Sequence, residues 1–147
     1  MSKINFFIED IKFSFKNKPA LREWLEAAAK KERFKIEQLN YILCPDRFLL
    51  NLNQHYLHHD DFTDIITFDL KLQTSNSTPQ TLTGDIFISI ERVKENAKHH
   101  KTTFQNELHL VMIHGVLHLC GYKDKTKEDK NKMREKENYY LNLRSFL

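Results

Sequence analysis

His114 and His118 stand four residues apart inside the stretch TTFQNELHLVMIHGVLHLCGYKD, residues 102–124. At about 3.6 residues per turn they share one face of any helix that contains them, the spacing with which two imidazoles reach one metal ion. Leu110, Val111, Met112, Ile113, Val116, Leu117 and Leu119 surround them, so the helix is expected to be buried on all sides. A buried imidazole needs a polar partner. Two readings meet that need. In one, the pair are core histidines bonded to backbone and Asp124 is an ordinary turn residue. In the other they are ligands: Gly121 stands where a left-handed residue ends a helix, and the chain can then return Asp124 as a third, oxygen ligand. Apolar flanks, glycine stop and nearby carboxylate together favour metal, which the spacing alone does not. Three protein ligands leave a position open for water, the catalytic arrangement, and a metal so held could activate that water and polarise a scissile bond.

The segment HGVLHLCGYKD, residues 114–124, resembles the H-G-x-L-H-L-x-G-Y-D-H signature of the YbeY family, bacterial endoribonucleases of ribosomal RNA maturation. Leu52-Asn53 matches as well, as do Thr63-Asp64-Ile65-Ile66-Thr67-Phe68 against the family's T-D-V-L-S-F and Gly84-Asp85-Ile86 against its G-D-I. In order and spacing the resemblance runs from about Leu39 to Leu143. It implies a single-strand-specific, metal-dependent endoribonuclease that processes the 3′ end of 16S rRNA and serves ribosome quality control. It further implies one zinc ion, ribosomal RNA as substrate, and the ribosome or small-subunit assembly factors as partners. In the resemblance, the strand that follows Asp64 borders the active-site cleft.

Two positions depart from the family pattern. Its third histidine falls on Asp124, which keeps a competent ligand but makes the site less positive, weakening zinc's effect on bound water or admitting another divalent metal. Its Y-R arginine falls on Leu57, removing a cation that could stabilise a phosphorane-like transition state; His58 and His59 are the neighbouring candidates to replace it. These departures touch the chemistry, so two alternatives stand beside the nuclease: another zinc metallohydrolase, or an RNA- or ribosome-binding assembly factor whose metal is mainly structural. Gly115 stands where an H-E-x-x-H peptidase places its glutamate, which disfavours peptide hydrolysis by that route. No obvious general base appears. Metal-bound hydroxide, Asp85 or Glu107 could act, Asp85 being otherwise a structural acid at a strand start. Glu107 lies two turns before His114, so it either hydrogen-bonds a liganding imidazole or is a first-turn glutamate favoured by the helix dipole.

Composition sets the frame. A length of 147 residues suits one domain over residues 1–147, and 40% hydrophobic content with eleven phenylalanines argues for a packed core. No window has the length of a membrane span or the pattern of a signal peptide, so a cytoplasmic protein without membrane contact is expected. Cys44 and Cys120 each sit among apolar residues and read as buried thiols rather than ligands or a bridge. A net charge of +3 does not by itself indicate nucleic acid. Lys123, Lys125 and Lys127, followed by Lys130, Lys132, Arg134 and Lys136, crowd the segment after the histidines. The run is either a solvated helix face or a contact for an RNA backbone, with Lys123, Lys125 and Lys127 nearest the metal motif.

The remaining elements must position that motif. Ile4, Phe6 and Ile8 alternate as a strand, and Ile11, Phe13 and Phe15 either extend it round a bend or form an extended tail. Pro19 opens a helix carrying Leu21, Trp24, Leu25 and Ala28 to about Arg33. Leu39 to Cys44 reads as a short strand, and Pro45 starts a helix with Phe48, Leu49, Leu52 and Tyr56. His55, His58 and His59 beside Asp60 and Asp61 read as exposed histidines of a polar loop. The run Ile65-Ile66-Thr67-Phe68 is a strand, Gln73 to Thr81 a connecting loop, and Gly84 to Ser89 another strand, with Ile86 and Ile88 on one face and Asp85 and Phe87 on the other. Ser89 caps a helix to about His100 with Val93 and Ala97 buried. Thr102 with Gln105 is a capping box for the histidine helix, and Thr126 with Asp129 starts a last helix with Met133, Tyr140, Leu143 and Leu147 in helical repeat. The mixture predicts an α+β domain: a small mixed β-sheet packed with helices around a central buried helix that carries the metal-binding HGxLH motif.

Overall fold

The computed structural model describes residues 3–56, 63–71 and 80–146. Along them run β1 (Ile4–Ile8), α1 (Lys18–Lys31), β2 (Phe34–Cys44), α2 (Asp46–Tyr56), β3 (Ile65–Asp69), β4 (Gln80–Ser89), α3 (Ile90–His99), α4 (Phe104–Leu119) and α5 (Lys127–Asn142). The sheet order is β1-β2-β4-β3. β1, β2 and β4 are mutually parallel and β3 runs antiparallel to β4, so the sheet is mixed and the α+β expectation holds. No helix among the described residues is long and apolar enough to cross a membrane.

Strand alternation decides which face carries what. Register pairs Ile4 with Leu39, Tyr41 with Ile86, and Leu43 with Ile88, and all six side chains are buried. Against this face lie α1, through Leu21, Trp24, Leu25, Ala28 and Ala29, and α4, onto whose Met112 carbonyl the Tyr41 hydroxyl donates at 2.9 Å. Burial of each large side chain in this layer contributes roughly 1.5–3 kcal/mol. Trp24 Nε1 donates to the Tyr140 carbonyl at 2.8 Å, which ties α5 to α1. The opposite face carries Asn5, Asn40 and Asp85 in one row, and beside them Ile66 and Phe87 pack with Leu49 of α2.

Gly115 lets α4 approach β4 closely: a Cβ there would lie 2.6 Å from Ile86 Cδ1 and 3.2 Å from its Cγ2. Alanine gains about 1 kcal/mol in helix propensity but incurs roughly 1–3 kcal/mol of overpacking against a fully buried side chain. Gly115→Ala should therefore lower the urea midpoint, equivalent to about 1 kcal/mol, and Gly115→Val should lower it further; an alanine variant more stable than the parent would mean that Ile86 moves aside freely.

His109 sets a pH dependence in the same core. Its ring lies 5.8 Å from that of Trp24 and 5.5 Å from that of Phe146, and Arg144 Nη1 donates to Nδ1 at 2.8 Å, so the imidazole is neutral. Burial first, and the Arg144 charge second, push its pKa from 6.5 down to about 4. Between those values the unfolded chain takes up a proton that the native state refuses. Stability is thus constant above the unfolded pKa and falls as pH drops toward about 4, by up to roughly 3 kcal/mol. In His109→Gln that segment of the stability–pH curve should flatten; an unchanged slope would assign the acid sensitivity elsewhere.

Several boundaries differ from expectation, each for a local reason. β2 begins at Phe34 rather than Leu39, because a register shift between Ile36 and Gln38 breaks the alternation that would reveal its first half. β4 begins at Gln80 rather than Gly84, its polar start paired to residues 34–36 with only Leu82 buried; the rest of the expected loop, residues 73–79, lies outside the described residues. Of the two readings for Ile11, Phe13 and Phe15, the bent strand is not formed: they follow β1 as a tail, and Phe15 packs its ring 4.8 Å from Phe6. Thr102 does not cap α4. Its N–H closes α3 on the Ala97 carbonyl at 2.9 Å, and the cap passes to Thr103, whose hydroxyl accepts from the Asn106 N–H at 3.0 Å. Ser89 and the Thr126–Asp129 capping box stand where expected. Leu147 lies outside the described residues, and Leu143 is exposed.

Candidate metal centre

α4 has ten buried residues, among them Leu108, Val111, Met112, Ile113, Val116, Leu117 and Leu119, while His114 and His118 are only partly covered. A pair of hydrogen bonds closes the helix at its C-terminus: the Tyr122 N–H donates to the Leu117 carbonyl and the Gly121 N–H to that of His118, both at 3.0 Å. This closure needs a left-handed residue after the cap, and Gly121 supplies it at φ +106. The reversal swings the Tyr122 carbonyl onto His118, whose Nδ1–H donates to it at 3.0 Å, and carries Asp124 across both rings.

Asp124 Oδ2 lies 3.5 Å from His114 Nε2 and 3.4 Å from His118 Nε2. Ligands held tetrahedrally at about 2.0–2.1 Å from zinc stand roughly 3.3 Å apart, so the spacing fits one ion. His114, His118 and Asp124 also form the one group of metal-competent side chains among the described residues. Tautomer fits too. His114 Nδ1 is held at 2.5 Å by Glu137 Oε2 from α5, and His118 Nδ1 by backbone, so both Nδ1 atoms are occupied and both Nε2 lone pairs face Asp124.

The surroundings are anionic. Burial works to lower the His114 pKa, yet the Glu137 contact and the charges of Glu137, Asp124 and Asp64 raise it overall. Asp64, in the turn before β3, has its carboxyl pushed up by burial and by Glu137, against the opposing pull of His114. It accepts a bond from Asn96 Nδ2 at 3.4 Å. Three carboxylates around two imidazoles make a place that attracts a cation.

The other candidate residues are dispersed. Asp85 lies on the face of the sheet away from α4, where Asn40 Nδ2 donates to it at 2.9 Å, so the strand's alternation turns it from the triad. Glu107 is 2% exposed and holds His100 Nδ1 at 2.8 Å, linking α3 to α4 instead of supporting His114. Lys123, Lys125 and Lys127 are exposed on the segment that contains Asp124. Leu57, His58, His59, Asp60 and Asp61 lie outside the described residues, while His55 is exposed. Cys44 and Cys120 are free thiols, both raised to about 12, chiefly by burial. Sequence reasoning missed Glu137. Its signal was an acid on the buried stripe of α5, four residues after Met133 and three before Tyr140.

Glu32, at the end of α1, braces the same turn. Its carboxylate accepts from the Tyr122 hydroxyl at 2.7 Å, from Lys136 Nζ at 3.2 Å and from the Tyr140 hydroxyl, so α5 and the Gly121 turn are held together.

Comparisons with known proteins converge on one group. The family model described as Endoribonuclease YbeY matches residues 3–144. A curated relative of that name from Cytophaga hutchinsonii is 48% identical over 143 residues, 97% of this chain and 96% of the relative. One from Flavobacterium psychrophilum is 44% identical over 137 residues, 93% of this chain and 94% of the relative. The solution structure of TM1509 from Thermotoga maritima superposes with a TM-score of 0.61 at 31% identity, covering 94% of this chain and 86% of that one. Two histidines one helical turn apart, the glycine-closed turn behind them and a match over nearly the whole length agree: the chain belongs to the YbeY family of endoribonucleases, enzymes that act on RNA phosphodiester bonds.

Proposed function

We propose that the chain binds one divalent ion, zinc in the first instance, through His114, His118 and Asp124, and cleaves single-stranded RNA in ribosomal RNA maturation. The reading extends to the 3′ end of 16S rRNA and ribosome quality control, with the ribosome or small-subunit assembly factors as partners, in the cytoplasm, within one metallohydrolase domain. The observation that carries it is the convergence of two Nε2 lone pairs and one carboxylate oxygen with both Nδ1 atoms already occupied. Such a ligand set, open on one side, suits catalysis better than a structural role.

When bound, the metal supplies Lewis acidity, polarising a phosphodiester and lowering the pKa of a water. The residues do the rest. Glu137 and the Tyr122 carbonyl hold the two rings in the tautomer that presents Nε2. Asp124 offsets the ion's charge more than a histidine would, so weaker acidification of water is expected than in a site with three histidines. Lys123, Lys125 and Lys127 attract the phosphate backbone to this side of the molecule.

Purified protein should contain about one equivalent of metal and cleave an unstructured fragment spanning the 16S rRNA 3′ precursor end, leaving a fully paired duplex intact. A chelator should abolish cleavage and zinc restore it. Asp124→Ala discriminates further: a folded variant that binds RNA but no longer cuts supports the enzyme, whereas full cleavage after metal removal would refute the metal mechanism.

A further inference from the structure

Next to the turn that carries Asp124, an open recess of about 370 Å³ is lined by Phe34, Tyr122, Lys123 and Lys132 together with Glu32 and Asp129. Its volume lies in the range of small-ligand sites. Both acids are engaged inside the protein: Glu32 takes two tyrosine hydroxyls and Lys136, and Asp129 accepts from the Thr126 N–H in the cap of α5. By contrast, no carboxylate among the described residues lies within ion-pair distance of Lys123 or Lys132. Lys71 Nζ stands 5.9 Å from the Phe34 ring centroid and Lys136 Nζ 6.0 Å from that of Tyr122. Lys123 and Lys132 in the lining balance Glu32 and Asp129, and Lys71 and Lys136, near the two aromatic rings, add positive charge around the recess.

That combination matches one ligand chemistry. Single-stranded nucleic acid is bound where bases meet aromatic side chains inside a positive groove, since every base has a π-face and every nucleotide a phosphate. The Tyr122 ring is pre-positioned by its bond to Glu32, so little side-chain freedom is lost on stacking. The location adds a reason. Tyr122, in the wall, is the residue whose carbonyl holds His118, and Lys123 directly precedes the ligand Asp124. The recess is thus built partly from the turn that carries Asp124.

We propose that this recess is a nucleotide subsite for the single-stranded RNA substrate, with a base on Phe34 and Tyr122 and flanking phosphates on Lys123, Lys132 and Lys71. The proposal rests on the nuclease reading and specifies where that substrate is gripped. It favours single strands because a paired base must first be unpaired and unstacked to enter.

The test uses the metal-loaded full chain and an unstructured RNA oligonucleotide carrying 2-aminopurine, with anisotropy and base fluorescence read before turnover. Phe34→Leu should weaken binding by about 5- to 100-fold and relieve the fluorescence quenching, and Phe34→Tyr should restore both. In Lys123→Gln, Lys132→Gln the slope of log Kd against log salt should fall by about 1 to 1.5, near 0.7 for each phosphate of a single strand that is no longer neutralised. Metal content should stay unchanged in every variant, and KM should rise with little change in kcat. Wild-type affinity and salt dependence in the lysine pair, both exposed and unable to disturb folding, would overturn the subsite even if Phe34→Leu failed to fold. Cleavage by the unsubstituted protein reports separately: RNA cut at full rate by variants that bind normally rejects the subsite and keeps the nuclease. RNA bound through the recess but never cut rejects the nuclease instead.

Discussion

The His114→Ala, His118→Ala protein is expected to purify folded, without metal, and with RNA cleavage reduced by about a thousandfold or more. The magnitude is the kinetic equivalent of the several kcal/mol that a Lewis acid contributes to a charged transition state. Retained folding follows from the position of the two rings. Neither belongs to the buried set of α4, which keeps ten other residues in the core, and alanine is the strongest helix former. The main structural loss is at Glu137, which forfeits the Nδ1–H donor of His114 at a cost of about 1–3 kcal/mol. Elemental analysis, far-UV circular dichroism and cleavage of unstructured ribosomal RNA on one preparation check all three statements. Metal retained at full occupancy in the double variant would place the ion elsewhere.

The second large effect belongs to Glu137. It contacts His114 but does not belong to the ligand triad, so its effect should appear in metal affinity before it appears in chemistry. Outer hydrogen-bond partners of liganding histidines typically contribute 10- to 100-fold in affinity. Glu137→Ala should weaken metal binding by about that factor, read by competition against a chromophoric chelator. Glu137→Gln keeps an oxygen acceptor at the same reach, so it should recover most of the ring's orientation while losing the charge that makes the imidazole a stronger ligand. Equal affinity in Glu137→Ala and the parent would show that packing alone orients His114. Cleavage at saturating metal should fall far less than affinity, which separates a positioning role from participation in the reaction.

The two departures from the family pattern have different outcomes. Asp124 is placed by the Gly121 turn within 3.5 Å of both Nε2 atoms, so the carboxylate takes up the geometry needed of a third ligand. Leu57 falls outside the described residues, while Lys123 and its neighbours keep cationic charge on the Asp124 side of the molecule.

Local chemistry made much of the fold legible from sequence. The period of α1, the Ser89 and Thr126 caps, the Gly121 stop and the pairing of His114 with His118 on one face all depend on residues within a few positions of one another. Because Gly121 closes α4 so near the histidines, even the third candidate ligand, Asp124, lay within reach of local reasoning. What escaped depends on distant segments meeting. The first half of β2 shows only when β4 pairs with it across a bulge, and Thr102 is diverted by the end of a different helix. Asp85 was turned away by sheet alternation combined with the side on which α4 packs, a choice invisible in the tripeptide Gly84-Asp85-Ile86. Glu107 and Glu137 show the physics most directly. Both are acids on buried helix faces, and only the docking of α3 and α5 on α4 decides which of them meets His100 and which meets His114. Sequence by itself determined which groups could bind a metal, because spacing and chain reversal are local; the tertiary structure alone decided which carboxylate contacts His114, because that depends on packing between helices far apart in the chain.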